Sequence, residues 1–338
     1  MLFNNFGYYI ILLFFISFIL DFIIGEFPII IHPVVYIGKV IDFFTNLFIN
    51  SKNRFSGVKL TFSCIILVDF VFIILYYIIF NILTYFDFIY YDLVFILLIS
   101  LLFANLYSVK LLINSTYDIK LKLMDDLDSA RSAMSYLVSR NTKELSVENI
   151  ISASIETMTE NITDSYVSSI FYLFLFGLFG LLFKFSFFDL IMFSVSGSLI
   201  FRIINTLDAM VGYKNDKFRF IGWFPAHLDD ILNFIPARFT GFIIVISSFF
   251  IGLDYKNSFF IFRRDCLKTP SPNSGFTMSA VAGALNVQLE KMNTYVLGDK
   301  NKDLDLNDID LAIKLTRVTI LISTIILLFL FLIVDCLI

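Results

Sequence analysis

The chain has 338 residues, 58% of them hydrophobic, and a mean hydropathy of +0.85. That is more apolar than a chain folding entirely in water, and it excludes a purely aqueous globular fold. Lys and Arg number 25 against 29 Asp and Glu, a net charge of −4, so the concentrated basic excess that a nucleic-acid surface needs is missing and nucleic acid is set aside as a partner.

The apolar content, with 43 Phe and one Trp, comes in long runs rather than short alternating stretches, which predicts helices. About 20 helical residues cross roughly 30 Å of hydrocarbon. Runs of that order lie near 6–24, 61–82, 93–113, 166–183, 185–205 and 317–338. The first has no basic region before it and no small-residue cleavage site after it, so it reads as a retained span. A seventh run, Thr240 to Leu253, is about 14 residues, near 21 Å of helix, and is too short to span comfortably. The predicted fold class is an all-α integral membrane protein in one polytopic domain over 1–338. It has about six transmembrane helices, a re-entrant or interfacial segment, and helical cytosolic loops.

Four polar loops, about 25–60, 114–165, 206–239 and 254–316, carry most of the charge. Lys39, Lys52, Arg54 and Lys59 lie in the first, and Lys120, Lys122, Arg131, Arg140 and Lys143 in the second. Lys214, Lys217, Arg219 and Arg238 lie in the third, and Arg263, Arg264, Lys268, Lys291, Lys300 and Lys302 in the fourth. Positive-inside reasoning places all four in the cytoplasm, with a multi-pass chain in the cell membrane and the lipid bilayer as one partner. Two crossings separate the first loop from the second, and two separate the second from the third. Only the short run separates the third from the fourth, which is why 240–253 is expected to turn back. Cys64, Cys266 and Cys336 are far apart in sequence, in no metal-ligand spacing, and read as unpaired thiols.

In the first loop, His32 before Pro33 fits a structural role. In the second, Ser146 is a good N-cap with Glu148 in the following first turn. At 100° per residue, Ile155, Met158 and Ile162 fall within about 40° of the line through Ile151, while Glu156, Glu160 and Asp164 fall near 140°, 180° and 220°. Three carboxylates therefore share the face opposite the packing stripe. This pattern fits a solvated acidic face, and it also fits a magnesium site, because carboxylates at i, i+4 and i+8 repel one another unless a hard cation bridges them. A preceding helix is expected from about Asp125 to Ser139, with Arg131 about 40° from Leu127, inside the apolar stripe. A guanidinium there needs a partner, either an ion pair with Asp128 or a neighbouring loop, or a bound anion.

The third loop holds Asn205, Asp208 and Lys214, then Asp229, Asp230 and Arg238; the paired aspartates suit a juxtamembrane anchor or a cation site. The fourth holds a turn, Ser271-Pro-Asn273-Ser-Gly275, leading into the small-residue segment Ser279-Ala-Val-Ala-Gly283-Ala-Leu. No P-loop, G-x-G-x-x-G, G-x-S-x-G or H-E-x-x-H motif is present, so any bound phosphate is held by other means.

These stretches together resemble the CobD/CbiB family of cobalamin biosynthesis, the adenosylcobinamide-phosphate synthases. The resemblance rests on His32-Pro-Val-Val with Ile37-Gly38, Asp126-Leu-Asp-Ser-Ala130-Arg131, Ser139-Arg140-Asn-Thr142, and Ile155-Glu156-Thr-Met-Thr-Glu160-Asn161-Ile-Thr-Asp164. It continues through Asn205-Thr-Leu-Asp208 to Tyr213-Lys214, Leu228-Asp-Asp230 to Arg238, and Ser271 to Leu285. The chain departs from the family pattern at Gly25-Glu26-Phe27-Pro28, where Gly-Asp-Pro is common, and at Asn141, where Asp is frequent.

The resemblance implies an ATP-dependent amide ligation. A carboxylate of adenosylcobyric acid would join an aminopropanol or ethanolamine, or its phosphate, with ATP and Mg2+ required and the corrinoid and amino alcohol as substrates. It assigns catalytic roles to Arg131, Arg140, Glu156, Glu160, Asn161, Asp208 and Lys214. Substrate binding goes to His32, Asn205, Arg238 and Asn273, and metal binding to Glu160, Asp164, Asp229 and Asp230. A second class, a transporter or channel for a corrinoid or other anionic solute, would need ionisable groups lining the spans, where Asp69 alone stands clearly mid-span.

Overall fold

The computed structural model describes residues 7–86, 90–138, 140–213 and 215–337. Among them the helices in chain order are α1 (Gly7–Ile23), α2 (Pro33–Phe48), α3 (Phe55–Tyr85), α4 (Tyr91–Ala104), α5 (Val109–Asp125), α6 (Leu127–Ser135), α7 (Val147–Asn161), α8 (Ser168–Leu182), α9 (Phe187–Val211), α10 (Trp223–Leu232), α11 (Phe234–Phe250), α12 (Tyr255–Asp265), α13 (Ser274–Leu285) and α14 (Leu306–Leu337). A π-helical turn, Ile162–Val167, joins α7 to α8, and one short antiparallel hairpin is formed by β1 (Leu289–Lys291) and β2 (Tyr295–Leu297).

Five helical stretches are long and apolar enough to cross a membrane: Phe55–Tyr85, Tyr91–Asp125, Val147–Leu182, Phe187–Val211 and Leu306–Leu337. A sixth is reached if α10 and α11, bent by 46° at their junction, count as one broken span or re-entrant loop. The expected all-helical membrane architecture is therefore present, with differences at its edges. The run at 6–24 forms a helix of only 17 residues, and the run at 240–253 belongs to the 17-residue α11. The run at 93–113 is interrupted after Ala104, where Asn105 has left the helical region and its side chain accepts from the Phe27 amide at 2.8 Å. On α3 the residues Phe62, Ile66, Phe70, Ile74 and Ile78 form an exposed i, i+4 stripe. An apolar stripe of that length is a liability in water and at home in hydrocarbon.

The chain divides into two compact units. One comprises residues 1–108, 168–232 and 327–338. Its core includes Ile10, Leu13 and Phe14 of α1, all buried at helical spacing, and Phe331 of α14. Tyr76 is fully buried between Phe95 and Phe188, with ring centroids at 4.8 and 4.6 Å, and its hydroxyl donates to the Phe188 carbonyl at 2.7 Å. A phenol that finds a backbone acceptor escapes the cost of an unsatisfied polar group in the apolar layer.

The other unit comprises residues 109–167 and 233–326. Its core joins Ile151, Ile155 and Met158 of α7 to Met278, Val281 and Leu285 of α13, the hairpin residues Leu289 and Leu297, and Ile309, Ile313 and Leu315 of α14. The stripe read from the sequence is thus the packing face of α7, and each fully buried large apolar side chain contributes roughly 1.5–3 kcal/mol of transfer free energy. Gly283 lets α13 approach α12: a Cβ there would lie 2.6 Å from the Asn257 carbonyl oxygen, closer than real Cβ atoms come. A second small core, Ile119, Ala130, Met134, Leu145, Ile150 and Ala153, seats α6 on α5 and α7.

Two local expectations differ from the structure. The helix expected over Asp125–Ser139 starts at Leu127, capped by Asp126, whose carboxylate accepts from the Ser129 amide at 2.8 Å, and it ends at Ser135. Asp126 stays in the extended region, which separates α5 from α6. The β-hairpin was not anticipated; its turn passes through Asn293 in the left-handed region, φ 57°.

Candidate functional site

Ser146 caps α7 as expected, accepting from the Asn149 amide at 3.2 Å. One turn beyond the first, Ser152 donates to Glu156 Oε1 at 2.6 Å and accepts from the Glu290 amide of β1 at 2.9 Å. Glu156 is 2% exposed, so the solvated-face reading does not hold for it. Its other oxygen accepts from the Tyr295 hydroxyl at 2.6 Å and from Arg140 at 3.1 Å. A buried carboxylate is tolerated only when paired and hydrogen-bonded, and three donors from a helix, a loop and a strand meet that requirement here. Burial, followed by the neighbouring Glu156 charge, pushes the Tyr295 phenol above its ordinary value of 10.0, so it remains a donor.

Glu156 marks the floor of a polar cavity of about 230 Å³. Its lining comprises Leu137, Val138, Arg140, Glu156, Thr157, Glu160, Asn161, Asp164, Lys291 and Tyr295. The three carboxylates of the predicted acidic ladder thus line one cavity. They do so across a change of helix type: α7 ends at Asn161, and Asp164 belongs to the π-helical turn, where the residue spacing of the wheel no longer applies. Such turns often occur at functional sites. Asn161 donates to the Thr157 carbonyl at 2.8 Å, which fixes its amide against the same wall.

Arg131 lies outside this cavity. Its Nε and Nη2 both donate to the Leu145 carbonyl, at 3.0 and 2.9 Å, and Nη1 pairs with Asp128 at 2.8 Å. Of the partners considered, Asp128 and a neighbouring loop hold it. Arg238 and Asn273 are brought together: Arg238 donates to Asn273 Oδ1 at 3.2 Å and to the Phe234 carbonyl at 2.8 Å, with its guanidinium 3.5 Å from the Phe234 ring centroid and 4.2 Å from that of Phe276. Stacked between two rings, the fork is held in one orientation.

In the other unit, Asn205 donates to Asp229 at 3.2 Å and accepts from Arg202 at 3.3 Å. Asp229 is buried and Asp230 half-buried on α10. Asp208 is half-buried against Gly212 in the last turn of α9. His32 caps α2, its Nδ1 accepting from the Val34 amide at 3.2 Å, while Nε2 lies 3.6 Å from Glu26. Burial lowers its pKa, Glu26 opposes this and Arg202 adds to it, so the ring is neutral near pH 7. Lys214 lies outside the described residues.

Sequence reasoning missed Tyr295, Lys291, Ser152 and Arg202. A signal existed for Arg202, a lone cation inside the apolar run 185–205. Tyr295 and Lys291 belong to the unforeseen hairpin and had none.

Magnesium needs hard oxygen donors, and Glu160 and Asp164 on one cavity wall supply two. Among the described residues no three His, Cys, Asp or Glu groups form a ready metal cage. A magnesium ion held by Glu160 and Asp164 would need its remaining oxygen ligands from water or substrate phosphate.

Apolar helices in number, together with a cavity lined by carboxylates and cations, define a multi-pass membrane protein with a polar cavity. A family model described as CobD/Cbib protein matches residues 14–323. The chain is 42% identical over 306 residues to the probable cobalamin biosynthesis protein CobD of Methanothermobacter thermautotrophicus, covering 90% of this chain and 93% of that one. It is 36% identical over 306 residues to the probable CobD of Methanocaldococcus jannaschii (86% and 89% covered) and 33% over 303 residues to the cobalamin biosynthesis protein CobD of Leptospira interrogans (87% and 89%). No solved structure matches it. The chain belongs to the CobD/CbiB family of cobalamin biosynthesis.

Proposed function

We propose that this protein is an ATP-dependent carboxylate–amine ligase, joining a carboxylate of adenosylcobyric acid to an aminopropanol or ethanolamine, or its phosphate. The observation that supports this most is the cavity of Arg140, Glu156, Glu160, Asn161, Asp164, Lys291 and Tyr295, in a chain whose relatives are named for cobalamin biosynthesis. A carboxylate is a poor acyl donor. In this reading ATP transfers its terminal phosphoryl group to a carboxylate oxygen, releasing ADP. The amine nitrogen then attacks the acyl carbon, phosphate leaves with the C–O bond electrons, and the amine loses a proton.

Each residue has a distinct task in that sequence. Arg140, fixed by Glu156, presents its remaining N–H groups to anionic oxygen at the cavity wall. Asn161, anchored on its own helix, orients an amide or amine. Glu160 and Asp164 would hold magnesium, whose charge would offset that of the phosphates. Positioning in a site of fixed dipoles accounts for the rest of the rate. In this reading the chain is a cell-membrane protein with its polar loops on the cytoplasmic side, where ATP is available.

A transporter would use charges within the spans. Asp69 is half-buried and accepts from Ser196 at 2.7 Å, Arg202 donates to Asn205 near the end of the apolar run 185–205, and buried Asp21 and Asp335 lie toward helix ends, so these groups are scattered over separate helices and form no continuous chain along one span among the described residues. The test is to incubate detergent-purified protein with adenosylcobyric acid, ATP, magnesium and a panel of amino alcohols and their phosphates, reading product mass. A corrinoid amide dependent on ATP is expected. Corrinoid uptake by liposomes without any amide product would overturn the proposal.

A further inference from the structure

The hairpin that forms one wall of the cavity is fastened to α7 at both strands. The Glu290 amide on β1 donates to Ser152, and the Tyr295 hydroxyl on β2 donates to Glu156, two residues one turn apart on the same face of α7. Ser152 in turn donates to Glu156, so both fastenings end on one buried carboxylate. Between them, Lys291 pairs in register with Tyr295 across the hairpin, and both line the cavity.

Lys291 differs from the other cation there. Arg140 is tied to Glu156. Lys291 makes no ion pair or side-chain hydrogen bond among the described residues, although Glu160 and Asp164 line the same space. An ammonium left without a partner on a cavity wall, on a strand fixed at two points, is placed to meet an incoming anion rather than to stabilise the fold. Among the described lining residues Glu156, Glu160 and Asp164 outnumber Arg140 and Lys291, which disfavours a bare phosphate. One that arrives with magnesium finds Lys291 as the cation, among the described lining residues, that is not tied to Glu156.

We propose that Lys291 is a substrate-binding residue that takes a phosphate oxygen in this cavity, with Tyr295 as the positioning residue that holds its strand through Glu156. The phosphate could come from the nucleotide or from a phosphorylated amino alcohol, and this assignment rests on the ligase reading only for the identity of those two substrates. Sequence pattern gave no warning of it, because a single lysine in a short polar loop is ordinarily a solvated charge.

Direct binding tests it independently of turnover. Purified wild type, Lys291→Met and Lys291→Arg are titrated in magnesium with a non-hydrolysable ATP analogue, with aminopropanol phosphate and with unphosphorylated aminopropanol, and thermal unfolding is recorded for each. The expected result is at least tenfold weaker binding of one phosphate-bearing ligand to Lys291→Met, about 1.4 kcal/mol, with partial recovery in Lys291→Arg and unchanged thermal stability. Loss confined to the analogue identifies the nucleotide phosphate; loss confined to the amino-alcohol phosphate, with the unphosphorylated compound unaffected, identifies the other. Equal binding by wild type and Lys291→Met, failure of wild type to bind either phosphate compound, or a fall in stability without a change in binding overturns the proposal. If phosphate binding depends on Lys291 yet no amide product forms in the ligation assay, the ligase reading fails and this one stands.

Discussion

The hydroxyl of Tyr295 donates to Glu156 Oε2 at 2.6 Å, across 139 positions of sequence, and so ties a β-hairpin to the acidic face of α7. Removing that hydroxyl leaves a buried carboxylate one donor short. Tyr295→Phe should lower stability by about 1–2 kcal/mol at pH 7. The phenol's pKa is raised on folding, so its contribution is full below the ordinary value of 10.0 and declines as pH rises beyond it toward the folded value. Thermal unfolding of both proteins from pH 8 to 11 should show the gap narrowing above pH 10; a gap constant across that range would count against the bond.

Arg131→Lys should loosen the segment between α6 and α7. Lysine cannot make the two parallel bonds to the Leu145 carbonyl while also reaching Asp128. A loss of about 1–3 kcal/mol, and faster tryptic cleavage at exposed Lys143, are expected. Activity lost with unchanged cleavage and stability would instead make Arg131 an anion-binding residue.

Asp265 is fully buried and receives Arg264, Lys268 and the Gly298 amide. Burial alone would raise its pKa; those three partners outweigh it and hold the carboxyl at about 2, below its ordinary 3.8. A depressed pKa stabilises above the unfolded value and is lost as pH falls through the folded one. Asp265→Asn should therefore be roughly 3 kcal/mol less stable at pH 7 and lose less on acidification from pH 4 to 2 than the parent. Parallel acid profiles would remove the carboxylate from the account.

Ser129 and Leu267 are both exposed, and both lie in loops that the basic residues assign to the cytoplasm. Cysteines placed singly at these positions, with Cys64, Cys266 and Cys336 replaced by serine, should resist an impermeant maleimide in intact cells and react after lysis. Labelling of position 267 from outside, with position 129 protected, would mean that the run 240–253 crosses the bilayer instead of turning back.

How much was legible follows from the kind of signal each element left. The spans were visible because hydrocarbon demands uninterrupted apolar length, and their ends were blurred because a helix continues past the interface, as α3 does by beginning at Phe55 rather than near 61. The packing stripe Ile151, Ile155, Met158 and the cap at Ser146 were readable from period and capping chemistry. The burial of Glu156 was not, since it depends on Tyr295 and Arg140, residues that only the tertiary fold brings to α7. Nor could the wheel foresee the π-helical turn that carries Asp164, or that Arg238 and Asn273 meet across 35 positions.

In the reading proposed above, the cavity holding Glu160 and Asp164 carries out magnesium- and ATP-dependent amide formation. The most direct measurement is the rate of corrinoid amide formation against magnesium concentration for the parent, Glu160→Gln and Asp164→Asn, with exposed Glu148→Gln as a control outside the cavity. Each cavity variant loses one hard anionic ligand, so the magnesium needed for half-maximal rate should rise several-fold while the protein stays folded and the control matches the parent. Magnesium curves for both cavity variants that superimpose on the parent's would contradict the claim.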